Sequence, residues 1–126
     1  MAQRILIIED ETPIRTMLAE MLGDEGYAVA SAATVDAGLN MLPSVQPHLI
    51  LCDLMFPRKN GREFYQRLTA DPAFATVPVI FMTALQPVSA DERYIGDLQH
   101  VPVLYKPIDI NELLTAIAMF IAPADG

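Results

Sequence analysis

The stretch LILCDLMFPRKNG, Leu49 to Gly61, decides the fold. Apolar residues run unbroken from Leu49 to Cys52, meet a carboxylate at Asp53, and pass into a turn containing Pro57 and Gly61. A strand with one wet face alternates apolar and polar residues; an unbroken run marks a strand covered on both faces. Such strands belong to parallel sheets with helices packed above and below. A carboxylate at the end of one is costly if buried and unnecessary in an ordinary turn. Asp53 therefore needs a chemical reason.

Similar runs recur as RILII (4–8), YAVA (27–30), VIFM (79–82) and VLY (103–105). Between the first two, Ile14, Met17, Leu18, Met21 and Leu22 recur at helical spacing. Thr12 is expected as N-cap, Pro13 as first helical residue and Gly26 as the stop. A second helix should follow Thr34 and end near Pro43, and a third should run from about Gly61 with Phe64 and Leu68 on one face. A fourth is expected from Ser89, which has capping-box spacing to Glu92. The last begins after Asp109, with Glu112 as acidic partner, and buries Leu113, Ile117 and Phe120 or Ile121. Strands interleaved with helices build right-handed crossover units. The expectation is an α/β fold: one doubly wound, flavodoxin-like, five-stranded parallel sheet of order 2-1-3-4-5, with helices on both faces.

At 126 residues the chain has the size of one domain, expected over 1–122, with 123–126 as a short tail or the start of a linker. Hydrophobic residues make up 52% and mean hydropathy is +0.31, which suits strands buried on both faces. No run approaches the ~18 apolar residues of a membrane span. The opening MAQRILIIEDE reaches acid before a signal-peptide core forms, so a cytoplasmic location is expected. One cysteine, Cys52, excludes an internal disulfide and reads as an inert buried thiol. A net charge of −8 argues against direct binding of nucleic acid or anionic lipid. His48 and His100 have no partner spacing, Arg58 and Lys59 read as loop decoration, and Tyr27, Phe64 and Tyr65 read as core.

In an open parallel sheet the functional crevice lies beyond the carboxyl ends of the strands. Strand 1 exits onto Glu9 and Asp10, strand 3 onto Asp53, strand 4 onto Thr83 and strand 5 onto Lys106. Strand 2 exits onto Ser31, as suits an edge strand away from the crevice. Taken alone, Glu9-Asp10-Glu11 is an acidic turn before a helix, and Glu11 is left in that role. Strands 1 and 3 as neighbours, ~4.8 Å apart, bring three carboxylates together. At ~5 Å and an effective dielectric of about 20, each pair repels by roughly 3 kcal/mol. Protons or a cation must relieve that, and oxygen ligands favour Mg²⁺. With the Thr83 hydroxyl and the Lys106 ammonium, the set describes phosphoryl transfer with Asp53 as nucleophile.

The chain resembles a response-regulator receiver domain of bacterial two-component signalling from about Arg4 to Ile121. ILIIEDE resembles the family's strand-1 acidic motif, and DLMFPRKNG its D-x-x-x-P-x-x-x-G loop. FMTA resembles its strand-4 Thr-Ala, and YKP its Lys-Pro. The resemblance implies that Asp53 accepts a phosphoryl group from a histidine kinase. Asp10, Asp53 and the Met55 carbonyl would bind Mg²⁺, with Glu9 helping directly or through water. Thr83 and Lys106 would contact the phosphoryl oxygens, and the Lys106–Pro107 bond would be cis. Expected partners are a histidine kinase or phosphotransfer protein and an unnamed output partner, with a phosphorylation-dependent homodimer left open.

Two departures from the family pattern stand out. Val103 occupies a position where receivers usually carry Tyr or Phe, and Tyr105 lies two residues further along the same strand face. Residues 86–103 contain Pro87 and Pro102 and lack the usual small Gly-Ala pair, so a short or irregular fourth helix is expected. Ala84 should leave the site accessible, while Met55 and Leu85 should hinder water and keep the phosphorylated lifetime from being especially short. The rival enzyme reading, a phosphohydrolase of the haloacid-dehalogenase type, needs a second acid where this chain has Met55. A receiver-like module that never takes phosphate is the third reading, and the full Asp–Thr–Lys set argues against it.

Overall fold

A computed structural model describes residues 2–54, 61–84 and 101–122. Five strands form one parallel sheet: β1 (Arg4–Ile8), β2 (Ala28–Ala32), β3 (Leu49–Asp53), β4 (Val79–Thr83) and β5 (Val103–Tyr105). The order is β2-β1-β3-β4-β5, as expected. The described helices are α1 (Thr12–Asp24), α2 (Val35–Val45), α3 (Gly61–Thr69) and α4 (Ile110–Ala118). The helix expected from Ser89, with Pro87 and His100, lies outside the described residues, as do Met55, Arg58, Lys59, Leu85 and the tail 123–126.

Alternation along the strands divides the core into two layers. Leu6, Ile8, Ile50, Cys52 and Phe81 pack with Val35 and Leu42 of α2 and Phe64 and Leu68 of α3. Ile5, Ile7, Leu51, Ile80 and Met82 pack on the other side with Leu18 and Leu22 of α1 and Leu113 and Ile117 of α4. β3 and β4 are buried along their whole length, which is why they read as unbroken apolar runs. Tyr27 and Phe64 are core residues, and Tyr65 is half-buried with its ring edge-on to Phe81. Of the two candidates at the end of α4, Ile121 packs inward while Phe120 is 41% exposed.

Several boundaries differ from expectation. β2 runs to Ala32, so Ser31 lies within the strand instead of at its exit. It stays in register because Ile7 pairs with Ser31 and Ile8 with Ala32. Thr12 is inside α1; Glu11 is the N-cap and makes no side-chain cap bond. The helix closes at Gly26, whose φ of 101° permits a Schellman end: Gly26 N–H donates to Gly23 O and Tyr27 N–H to Leu22 O. Thr34 caps α2 as expected, accepting from Ala37 N–H, but the helix continues past Pro43 to Val45. Gln46 then turns left-handed, and Arg4 Nε donates to the carbonyls of Val45 and Gln46 at 3.0 and 2.9 Å. Carbonyls that α2 cannot satisfy by itself thus find a donor on β1. Asp109 caps α4, accepting from the N–H groups of Asn111 and Glu112. His48 has a partner after all: its Nδ1 accepts from Arg4 N–H at 2.8 Å, at the end of the sheet opposite Asp53.

Candidate functional site

Sheet register assembles the site. Ile8 pairs with Cys52, so the next residues, Glu9 and Asp53, emerge side by side. Asp53 pairs with Met82, and Thr83 with Tyr105, the residue before Lys106. Lys106 N–H donates to Thr83 O at 2.8 Å, which extends the β4–β5 ladder to the lysine itself. Polar residues at the ends of four strands, Glu9 and Asp10, Asp53, Thr83 and Lys106, therefore reach the same end of the sheet. The Lys106–Pro107 peptide is cis, as expected.

One oxygen from each of Glu9, Asp10 and Asp53 lies within 4.8 Å of the others. Glu9 is fully buried, Asp53 nearly so and Asp10 exposed. Lys106 Nζ donates to Glu9 Oε1 at 2.6 Å and to Asp53 Oδ2 at 3.1 Å, with Glu11 Oε2 at 3.9 Å. The other Glu9 oxygen accepts from Glu11 N–H at 3.2 Å. Thr83 is buried at the end of β4.

Burial raises the Glu9 pKa; the Lys106 hydrogen bond opposes this and the Asp53 charge adds to it. Asp10 is also raised, by burial first and then by its hydrogen bond and charge repulsion with Glu9. For Lys106 burial pulls downward, but the bonds and charges of Glu9 and Asp53 outweigh it and the net direction is up. Burial pushes the Cys52 thiol well up, so it is inert.

Among the described residues, the three carboxylates of the cluster face one ammonium, that of Lys106, and the four side chains together are negative. Glu9 has both oxygens engaged, so Asp10 and Asp53 are the members best placed to meet a cation. Opposed oxygens around Mg²⁺ stand about 4.2 Å apart, close to the spread of this cluster. The donors are all hard oxygens, and the set fits that ion. Asp10→Asn should relieve the crowding: metal-free stability at neutral pH should rise by up to about 1 kcal/mol in urea titration. The same variant should lose the stabilisation that added Mg²⁺ confers on the parent.

The family model of the response regulator receiver domain matches residues 5–118. The chain belongs to that family. As a receiver domain it is 38% identical to the phosphate regulon transcriptional regulatory protein PhoB of Escherichia coli over 84 residues, 67% of this chain and 37% of that protein. It thus spans little more than a third of PhoB's length. Sporulation initiation phosphotransferase F of Bacillus subtilis is 30% identical, with 96% of this chain and 95% of that protein covered. The chemotaxis protein CheY4 of Vibrio cholerae shares the receiver fold at a TM-score of 0.84 and 22% identity, over 96% of this chain and all of that one. Receiver domains are signalling phosphoacceptors and are not generally classed as enzymes. Among the described residues, no helix is long and apolar enough to cross a membrane.

The structure brings Glu9, Asp10, Asp53, Thr83 and Lys106 to one end of the sheet, while Met55 lies outside the described residues. Sequence reasoning set aside Glu11, which supplies a backbone donor to Glu9 and a carboxylate near Lys106. It also passed over Arg15, whose guanidinium donates to the Glu9 carbonyl at 2.7 Å. A signal for it existed. A cation in the first turn of a helix opposes the macrodipole, and so points to an acceptor nearby.

Proposed function

We propose that this receiver domain is phosphorylated on Asp53 by the phosphohistidine of a histidine kinase or phosphotransfer protein, and that the modified domain controls an output partner in the cytoplasm. The observation that carries this reading is the meeting of Glu9, Asp10 and Asp53 around a lysine 3.1 Å from the Asp53 carboxylate. An Asp53 oxygen attacks phosphorus in line as the phosphorus–nitrogen bond breaks, and the imidazole leaves with its bonding pair and takes up a proton. The product is an acylphosphate. Lys106, already at the carboxylate, offers an ammonium to the incoming phosphoryl oxygens, and Thr83 offers a hydroxyl from the end of β4. Asp10, Asp53 and the Met55 carbonyl would hold Mg²⁺, with Glu9 supporting them. When bound, that ion neutralises phosphoryl charge and orients the transferring group.

The phosphoryl group carries about −1.5 to −2 charges in place of the single charge of the Asp53 carboxylate, so the pocket gains up to about one further negative charge beside Glu9 and Asp10. Lys106 then has a stronger anion to face than Glu9, and Thr83 a new acceptor. Both residues bear on the β4–β5 side of the sheet, so their movement is the route to a partner surface. Tyr105, paired with Thr83 in the ladder, is the aromatic best placed to respond.

The test is intact-mass measurement after incubation with acetyl phosphate and Mg²⁺. The parent chain should gain one phosphoryl mass, lost with EDTA and absent in Asp53→Asn. An adduct on Asp53→Asn, or none on the parent, would overturn the reading, and steady phosphate release from simple esters would favour a hydrolase.

A further inference from the structure

Glu9 is held at four points, and three of them are explained by the sheet and the pocket. Its N–H donates to Ala32 O at 3.0 Å, Oε1 accepts from Lys106 and Oε2 from Glu11 N–H. Its carbonyl lies past the last β1–β3 pair, Ile8 with Cys52, and turns to Arg15. The half-buried Arg15 side chain, on the first turn of α1, donates Nη1–H to that carbonyl at 2.7 Å. Its second nitrogen donates to Thr12 Oγ1 at 3.3 Å. The guanidinium therefore ties α1 to the end of β1.

The peptide unit is planar, so whatever holds the Glu9 carbonyl also holds the nitrogen and Cα of Asp10. Asp10 is the exposed carboxylate of the cluster, and its acidic neighbours in the pocket are Glu9 and Asp53. Left to repulsion alone, it would swing outward into water. A hydrogen bond from a charged donor is worth roughly twice a neutral one, enough to keep the turn in place against that push.

We propose that Arg15 is a positioning residue for the acidic pocket: by clamping the Glu9–Asp10 peptide it aims Asp10 at the cation, and so sets divalent-metal affinity. This rests on the metal-binding reading above. Arg15 need not touch the ion, the phosphoryl group or the reacting atoms.

The experiment is a calorimetric titration of the full chain with MgCl₂, paired with amide hydrogen exchange at Asp10 and Glu11 in metal-free buffer. Arg15→Ala should weaken Mg²⁺ binding by about 10-fold, the loss typical of residues that orient metal ligands. Exchange at Asp10 should quicken. Arg15→Lys should recover part of the affinity, since an ammonium can still reach a carbonyl, and it carries the test if the alanine variant folds poorly. Arg4→Ala is the control, because Arg4 also ties a helix to β1 through backbone carbonyls, but at the other end of the strand. It should lower stability and leave Mg²⁺ affinity unchanged. Equal Mg²⁺ binding by Arg15→Ala and the parent would overturn the proposal, as would an equal loss in Arg4→Ala. A parent chain that binds no Mg²⁺ would overturn the metal-binding reading itself, and this inference with it.

Discussion

Lys106→Met is expected to destabilise the chain by about 3 kcal/mol at neutral pH, the usual loss when one partner of a buried ion pair is removed. Methionine keeps an unbranched stem of similar length, so the change is mainly one of charge. Glu9, fully buried, loses the ammonium at 2.6 Å, and Asp53 loses the one at 3.1 Å. The remaining carboxylates then repel one another without the ammonium that Glu9 and Asp53 share. The deficit should depend on pH in a definite direction. Glu9 already titrates above its ordinary 4.5 because burial disfavours its charged form. A raised folded pKa means that its contribution favours folding most below 4.5, and fades as pH rises through the folded value. Losing Lys106 removes the hydrogen bond that opposes this shift, so the folded value climbs further. The gap between variant and parent should therefore be widest near neutrality and narrow as pH falls towards 4.5. Urea titrations across that range measure it. A gap that stays constant would mean that Lys106 contributes packing and no charge compensation.

Gly61→Ala is expected to cost about 2 kcal/mol, the middle of the range for overpacking a tight site. A Cβ on Gly61 would stand 2.8 Å from the carbonyl oxygen of Asp53, 2.8 Å from Phe81 Cε1 and 3.0 Å from Leu54 Cα. Two of these are backbone atoms, and Phe81 is itself fully buried, so none can yield cheaply. The start of α3 must move away from β3, or the Asp53 peptide must tilt. Gly61 N–H also donates to Leu54 O at 2.9 Å, a bond the displacement would stretch. Asp53 should then be phosphorylated more slowly from acetyl phosphate, even in the fraction that remains folded. Chemical denaturation and the intact-mass time course together check both effects. Unchanged stability would mean that the α3 start adjusts freely and does not constrain Asp53.

Sequence reasoning read Gly61 as a turn residue, and its close approach to Asp53 was invisible there. The close approach depends on how the start of α3 meets the end of β3 and Phe81, the latter twenty residues further along the chain. Pro43 shows the opposite limitation. Proline is a sound reason to end a helix, but α2 continues to Val45 because Arg4, on another element, accepts the burden of its last carbonyls. The cap of α1 went to Glu11 for a related reason: the chain leaving β1 is already tied through Glu9, and the helix begins where that tether ends. Local rules fail where distant residues supply the missing partner.

The unbroken apolar runs, the helical spacings and the caps at Thr34 and Asp109 were enough to specify five parallel strands and the strand ends that bear Glu9, Asp10, Asp53, Thr83 and Lys106, and the general rule for doubly wound sheets supplied their order. Those features are periodic or local, and burial and backbone hydrogen bonding leave few ways to satisfy them. Tertiary structure alone decided how the polar groups divide their work. It gave Lys106 to Glu9 and Asp53 together, left Asp10 open to solvent, and set Arg15 on the Glu9 carbonyl. Hydrogen bonds and charge pairs act over a few ångströms, and such distances exist only once the sheet register and the helix placements have been set.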